Sequence, residues 1–149
     1  GGLRPGTENV PHLVGLGAAA VLAKQRLPTI GDRLRRQRDA LHARLDAGIP
    51  GLALNGDRDE RLPNTLNLSF PGLSGRELLA RTPEIAASVG SACHEEADAV
   101  SGVLGAMGVS AERARGAVRL SLGAPTTDDD ISQAADALVA AWRALVRGR

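Results

Sequence analysis

The pattern of apolar and polar positions divides the chain into segments of different period. From Val10 to Leu27 the residues are almost all small or apolar, which predicts a helix with Pro11 tolerated in its first turn. Gly15, Gly17 and Ala18 to Ala20 predict close packing against a neighbour rather than a free surface helix. Pro28 is expected to interrupt it. A second helix is predicted over 30–47, with Ile30, Leu34, Leu41 and Leu45 at helical spacing. Its other face carries Arg33, Arg35, Arg36, Arg38 and Arg44, read as solvated. Gly48 to Gly51 marks a helix stop and a turn, and Leu52 to Leu54 a short strand. Residues 65–70 and 118–122 alternate apolar and polar, the period of half-buried strands.

Between those strands, short helices are predicted over 73–81, 101–107 and 111–115, and a further strand over 85–89. A loop, Gly90 to Val100, follows that strand. The last helix is the most strongly marked. Thr127 caps it, Asp128, Asp129 and Asp130 complement the positive end of its dipole, and Ile131, Ala135, Leu138, Val139, Trp142 and Leu145 form one apolar stripe. Short strands interleaved with helices make this an α+β layer preceded by a helical lead-in.

Composition narrows the function classes. The 149 residues are 43% hydrophobic but 1% aromatic, with Phe70 and Trp142 alone and no Tyr, which argues against base-stacking platforms. The net charge of +1 gives no bulk field for nucleic acid. No run is long enough to span a bilayer and no secretory signal precedes the first helix, so a cytoplasmic protein is expected. One cysteine, Cys93, excludes an internal disulfide and any paired-cysteine metal or redox site. Lys24 is the only lysine beside seventeen arginines, leaving one candidate for lysine-based covalent chemistry.

Cys93 stands in Gly90-Ser91-Ala92-Cys93-His94-Glu95-Glu96, where a strand gives way to a helix. Such a loop gives a thiol access to substrate, although free cysteines are more often buried and inert. A protonated His94 favours the thiolate, and Glu95, Glu96 and Asp98 oppose it. His12 and His42 also exist, and no arrangement in the sequence selects one as a partner.

Four motifs then carry a resemblance. Arg4-Pro5-Gly6-Thr7-Glu8-Asn9 resembles the arginine–x–glycine–threonine loop of class V, fold type I pyridoxal-phosphate enzymes. Pro63 to Phe70 is similar to the strand that opens their small domain. Ser88-Val89-Gly90-Ser91-Ala92-Cys93-His94 resembles the cysteine loop of cysteine desulfurases and selenocysteine lyases. Val118-Arg119-Leu120-Ser121-Leu122-Gly123, with Thr126-Thr127, resembles the penultimate strand and final helix cap.

The resemblance implies the C-terminal part of a fold type I transferase: 1–47 linking to a large domain, and 48–149 a small α+β domain with a short mixed or antiparallel sheet. It implies that Cys93 is the nucleophile that takes sulfur from L-cysteine, leaving alanine and a persulfide, with pyridoxal 5'-phosphate as electron sink. Arg119 would bind the substrate carboxylate. Thr7 would bind the cofactor phosphate held by a neighbouring subunit, implying a homodimer. The persulfide would pass to an acceptor protein, such as an iron–sulfur scaffold. Selenocysteine lyase, a non-catalytic dimerising module and a sibling aminotransferase are the alternatives. Lys24 does not match the Schiff-base lysine, which the family carries in its large domain. These residues alone are therefore expected neither to hold the cofactor firmly nor to turn over cysteine. Glu95, Glu96 and Ala124-Pro125 depart from the family pattern.

Overall fold

The computed structural model describes residue 2, residues 5–90 and residues 101–149. The elements run α1 (Val10–Gly48), β1 (Ala53–Leu54), β2 (Thr65–Ser69), α2 (Gly75–Ala80), α3 (Gly102–Ala106), α4 (Ala111–Arg115), β3 (Ala117–Ser121) and α5 (Asp128–Arg147). The sheet is antiparallel in the order β1-β2-β3, and helices cover it in an α+β arrangement.

The two helices expected on either side of Pro28 are one helix of 39 residues, about 58 Å long at 1.5 Å per residue. The Asn9 side chain accepts from the His12 amide at 3.2 Å, and Pro11 falls in the first turn, where its missing donor costs nothing. Pro28 deprives the Lys24 carbonyl of its helical donor, but the turns around it are exposed, where such a carbonyl costs little. The Thr29 hydroxyl bonds the Arg26 carbonyl at 3.2 Å. With its C-terminal half held in the core, the helix runs through the proline.

That half supplies Leu41 and Leu45 to a core shared with Leu66, Leu68, Phe70, Leu78, Val118, Leu120, Ile131, Ala135 and Leu138, and Leu34 is buried one turn and more before them. Strands β2 and β3 show why: Leu66 and Leu68 pair in register with Leu120 and Val118, so one face of the sheet is continuous hydrocarbon. Helix α5 lays its stripe over the same core, and both halves of its capping box form between Thr127 and Asp130. The strand expected over 85–89 is reduced to a single bridge at Ser88.

The basic face of α1 is only partly solvated. Arg38 is buried, bonding the Leu62 carbonyl at 2.8 Å and the Asp39 carboxylate at 2.8 Å. Arg33 reaches the Thr126 carbonyl at 2.7 Å and the Ala124 carbonyl at 2.8 Å, and Gln37 reaches Asp128 at 2.8 Å. These side chains tie α1 to the turn that starts α5.

Candidate functional site

Arg119 stands on the face of the sheet opposite the core. Along β3, Val118 and Leu120 point inward, while Arg119 and Ser121 are exposed. Its cross-strand partner in β2 is Asn67, and on its other side the backbone meets Ser88. The Arg119 amide donates to the Ser88 carbonyl at 2.7 Å, and the Ser88 amide donates to the Arg119 carbonyl at 3.2 Å. Ser88 is five residues before Cys93. The sheet therefore sets the start of the cysteine segment beside the candidate carboxylate-binding arginine.

Local chemistry holds that segment in line. The Ser88 hydroxyl donates to the Gly90 carbonyl at 2.6 Å and accepts from the Gly90 amide at 3.3 Å, a tight turn closed by one side chain. Gly75, the first residue of helix α2, leaves no room for a side chain. A Cβ there would come 2.5 Å from the Ala117 carbonyl oxygen, 2.9 Å from Val118 and 3.1 Å from Val89. The missing side chain lets α2, β3 and the 85–90 segment meet. Ser74 then caps α2 in a capping box with Glu77, whose carboxyl the Ser74 amide and hydroxyl hold below its ordinary value.

The same polar face carries a network that sequence reasoning missed. The Asn55 side chain, buried, donates to Asn67 Oδ1 and to Ser69 Oγ, each at 2.8 Å. Arg113 Nε donates to Asn55 Oδ1 at 3.0 Å, and its Nη2 donates to the Leu54 carbonyl. The order Arg113–Asn55–Asn67 runs up to the position beside Arg119 and keeps Asn67 oriented there. Asn55 follows the short strand in a run of polar residues that the sequence marks only as a connection. Only the alternation of Asn67 and Ser69 onto one face hinted that polar groups gather there.

Of the other residues singled out in the sequence, Thr7 lies in the exposed lead-in to α1. About 36 Å of helix separates Val10 from Leu34, the first buried position, so the core does not gather Thr7. Lys24 is exposed on the same stretch, and its side chain makes no hydrogen bond or ion pair among the described residues. Cys93, His94, Glu95, Glu96 and Arg4 lie outside the described residues. Among the described residues, a cavity of about 710 Å³ lies between α1 and the turn into α5, lined by Arg33, Arg36, Arg44 and Thr126, and one of about 620 Å³ lies around His42, Asp46 and Arg61. Burial first, then the Arg61 charge, lowers the His42 pKa.

Comparisons with known proteins bear on this arrangement. The family described as aminotransferase class-V matches residues 2–134. A cysteine desulfurase of Frankia sp. strain EuIK1 is 44% identical over 152 residues, covering 99% of this chain and 35% of that protein. A selenocysteine lyase of Xenopus laevis is 43% identical over 137 residues, covering 88% of this chain and 32% of that protein. Among solved structures, a NifS-like protein superimposes with a TM-score of 0.79 at 30% identity, over 97% of this chain and 36% of that one. A NifS-like protein from Rickettsia africae gives 0.81 at 26% identity, over 95% and 37%. The chain thus spans about a third of the length of the relatives it matches.

Proposed function

The chain belongs to the class-V aminotransferase family, and from that premise we propose that it is the thiol-bearing C-terminal part of a cysteine desulfurase. What supports this reading is the backbone pairing of Ser88 with Arg119, since it joins the approach to Cys93 to an exposed guanidinium on the sheet.

In this reading Arg119 binds the carboxylate of L-cysteine through paired donors, a geometry that a planar guanidinium matches. The Cys93 thiolate attacks the substrate sulfur. An S–S bond forms, the Cβ–S bond breaks, and its electron pair ends in a C–H bond as the carbon takes up a proton. Alanine leaves and Cys93 holds a persulfide. Atoms and electrons balance with no outside oxidant. An acceptor protein, such as an iron–sulfur scaffold, then takes the outer sulfur, and the reaction runs in the cytoplasm.

The residues present do not by themselves make a pyridoxal-phosphate site. The single lysine lies on the exposed half of α1, about 15 Å of helix before the first buried position. Pyridoxal phosphate, when bound, serves such enzymes as an electron sink. We assign its lysine and most of its cradle to the part of the family fold that this chain does not span. Residues 1–47 link to that part, 48–149 form the small domain, and Thr7 reaches the cofactor phosphate of a second subunit in a homodimer. The isolated chain is accordingly inactive.

A second reading, selenocysteine lyase, is favoured by the 43% identity to the Xenopus laevis protein. Both readings are tested in a chimera in which these 149 residues replace the matched third of the Frankia desulfurase. Alanine release from L-cysteine, with a persulfide on Cys93 that Cys93→Ala abolishes, is the expected result. Arg119→Ala should raise KM for L-cysteine without lowering the thermal midpoint, because the side chain is exposed. Turnover of L-selenocysteine alone would select the lyase, and alanine release unaffected by Cys93→Ala would overturn the proposed role of the thiol.

A further inference from the structure

The face of the sheet opposite the core carries one row of polar residues whose donors and acceptors run in a single direction. The Asn55 amide, just after β1, donates to the Asn67 carbonyl at 2.9 Å; Asn67 pairs with Arg119, and Arg119 bridges to Ser88. Along that row the side chains form a relay. It starts at Arg113 on α4, whose Nε donates to Asn55 Oδ1 at 3.0 Å and whose Nη2 donates to the Leu54 carbonyl. A guanidinium only donates, so the end of Asn55 that meets it must be the oxygen. The other end, Nδ2, then donates to Asn67 Oδ1 and to Ser69 Oγ, each at 2.8 Å. The Asn67 oxygen is thereby engaged, and Nδ2 is the end of Asn67 left to bond elsewhere. Among the described residues no side chain or backbone group accepts from it.

Strand pairing sets where that donor stands. In an antiparallel ladder a residue directs both of its backbone groups to the same neighbour. Arg119 directs its amide and carbonyl to Ser88, and Asn67 directs its carbonyl to Asn55. Asn67 and Arg119 therefore face each other as a non-hydrogen-bonded pair, the arrangement with the closer side chains, Cβ atoms about 4.5–5.5 Å apart. Asn67 is half-buried and Arg119 exposed, and the Arg119 guanidinium makes no hydrogen bond or ion pair among the described residues. Neither group can satisfy the other's donors, since no N–H of either accepts. Two donor groups side by side, with no acceptor between them, match one ligand chemistry. A carboxylate offers about four lone-pair sites on two oxygens; a guanidinium takes two of them in its bidentate form, and an amide N–H can take a third.

We propose that Asn67 is a second substrate-binding residue, its Nδ2 donating to the carboxylate of the amino acid that Arg119 holds. Asn55 and Arg113 are then positioning residues, which decide the end of the Asn67 amide that meets the substrate. This rests on the carboxylate-binding role of Arg119 and extends it. Donors from two adjacent strands fix a carboxylate in orientation as well as place, which one exposed guanidinium on a flexible stem does not achieve. The direction of the relay matters because a side-chain amide without partners turns either end toward a ligand, and an oxygen facing the carboxylate repels it. The one-way donor on α4 removes that choice before substrate arrives.

The test reverses the relay without removing a bond. In Asn55→Asp the new carboxylate accepts from Arg113 and from the Ser69 hydroxyl, but it cannot donate to Asn67, whose amide must turn Nδ2 inward and Oδ1 outward. In the Frankia chimera, Asn55→Asp and Asn67→Ala should each raise KM for L-cysteine about tenfold, at low and at high salt, with kcat within about twofold of the parent. Inhibition by cysteamine, which keeps the thiol and amine but has no carboxylate, should not change. The 149-residue chain gives a measurement that needs no chimera. Titrated with propionate, the Arg119 Nε and Asn67 Nδ2 proton resonances should shift together, and in Asn55→Asp those of Asn67 should stay still. Unchanged KM in both variants, or propionate shifts at Arg119 without Asn67, overturns this inference and leaves the role of Arg119 standing. So does cysteamine inhibition that weakens in step with L-cysteine binding. If Arg119→Ala leaves KM unchanged and propionate moves neither resonance, the role of Arg119 fails and this inference falls with it.

Discussion

Replacing Gly75 by alanine adds one methyl group at the point where three segments meet. That methyl would stand 2.5 Å from the carbonyl oxygen of Ala117 and 2.9 Å from Val118 Cγ2. The first contact is with backbone, which cannot swing aside as a side-chain tip would. Overpacking of this kind costs about 1–3 kcal/mol, and the backbone contact argues for the upper end. For a chain of this length each kcal/mol is worth about 2–4 °C, so the thermal midpoint should fall by roughly 3–10 °C. The strain should also loosen the 85–90 segment, because Val89 Cγ1 lies 3.1 Å from the same methyl. The Ser88 and Arg119 amides, bonded to each other's carbonyls, should then exchange faster than those between β2 and the core face of β3. Gly31→Ala is the control. Nothing lies within 4 Å of its Cβ position, inside α1, so alanine there should stabilise by about 0.5–1 kcal/mol. Calorimetry and hydrogen exchange on the three proteins decide the matter. A midpoint for Gly75→Ala within a degree of the parent, with Ser88 and Arg119 as protected as before, would refute the claim that the absent side chain organises this junction.

Two further outcomes follow from the geometry. Arg38→Met should destabilise the chain by about 2 kcal/mol in urea unfolding, because it leaves the Leu62 carbonyl without its charged donor and leaves Asp39 with Arg61 alone. Arg35→Met, whose partner Asp32 is exposed, should do almost nothing. Acid should act in two stages. His42 is held below its ordinary value of 6.5, first by burial, so the unfolded chain takes up that proton more readily and stability declines as pH falls below 6.5. Glu77 and Asp130 are held below 4.5 and 3.8 by the amides of Ser74 and Thr127, so their contribution is complete above those values and disappears as pH falls through the lowered ones. Helix content followed from pH 7 downward should lose the first stage in His42→Gln and show a weaker second stage in Asp130→Asn.

Much of the fold was legible because its signals are local. Thr127 and Asp130 are three residues apart, so the cap of α5 needs no knowledge of the rest of the chain. The alternation of Leu66, Leu68, Val118 and Leu120 predicts two half-buried strands by period alone. Of the site, the motifs singled out Cys93, Arg119 and Thr7, but not which of them share a surface. The Asn55 and Arg113 side chains were invisible because their bond spans 58 residues. Likewise the arginines of α1 looked alike on the helix wheel, and partners 24 and 93 residues away separate Arg38 and Arg33 from the solvated ones.

Short-range patterns in the sequence thus carry most of the elements, their polar and apolar faces, and the family to which the chain belongs, but not the continuity of α1 or the single bridge at Ser88. That α1 runs unbroken through Pro28 comes from tertiary packing, because Leu41 and Leu45 in the core hold the helix beyond the lost hydrogen bond. Packing also joined Ser88 to Arg119, 31 positions apart in sequence, because strand pairing is set by which faces must be buried together. And the tertiary structure alone revealed that the most apolar stretch of the chain lies outside its own core, since hydrophobicity tells that a surface must be covered but not by what.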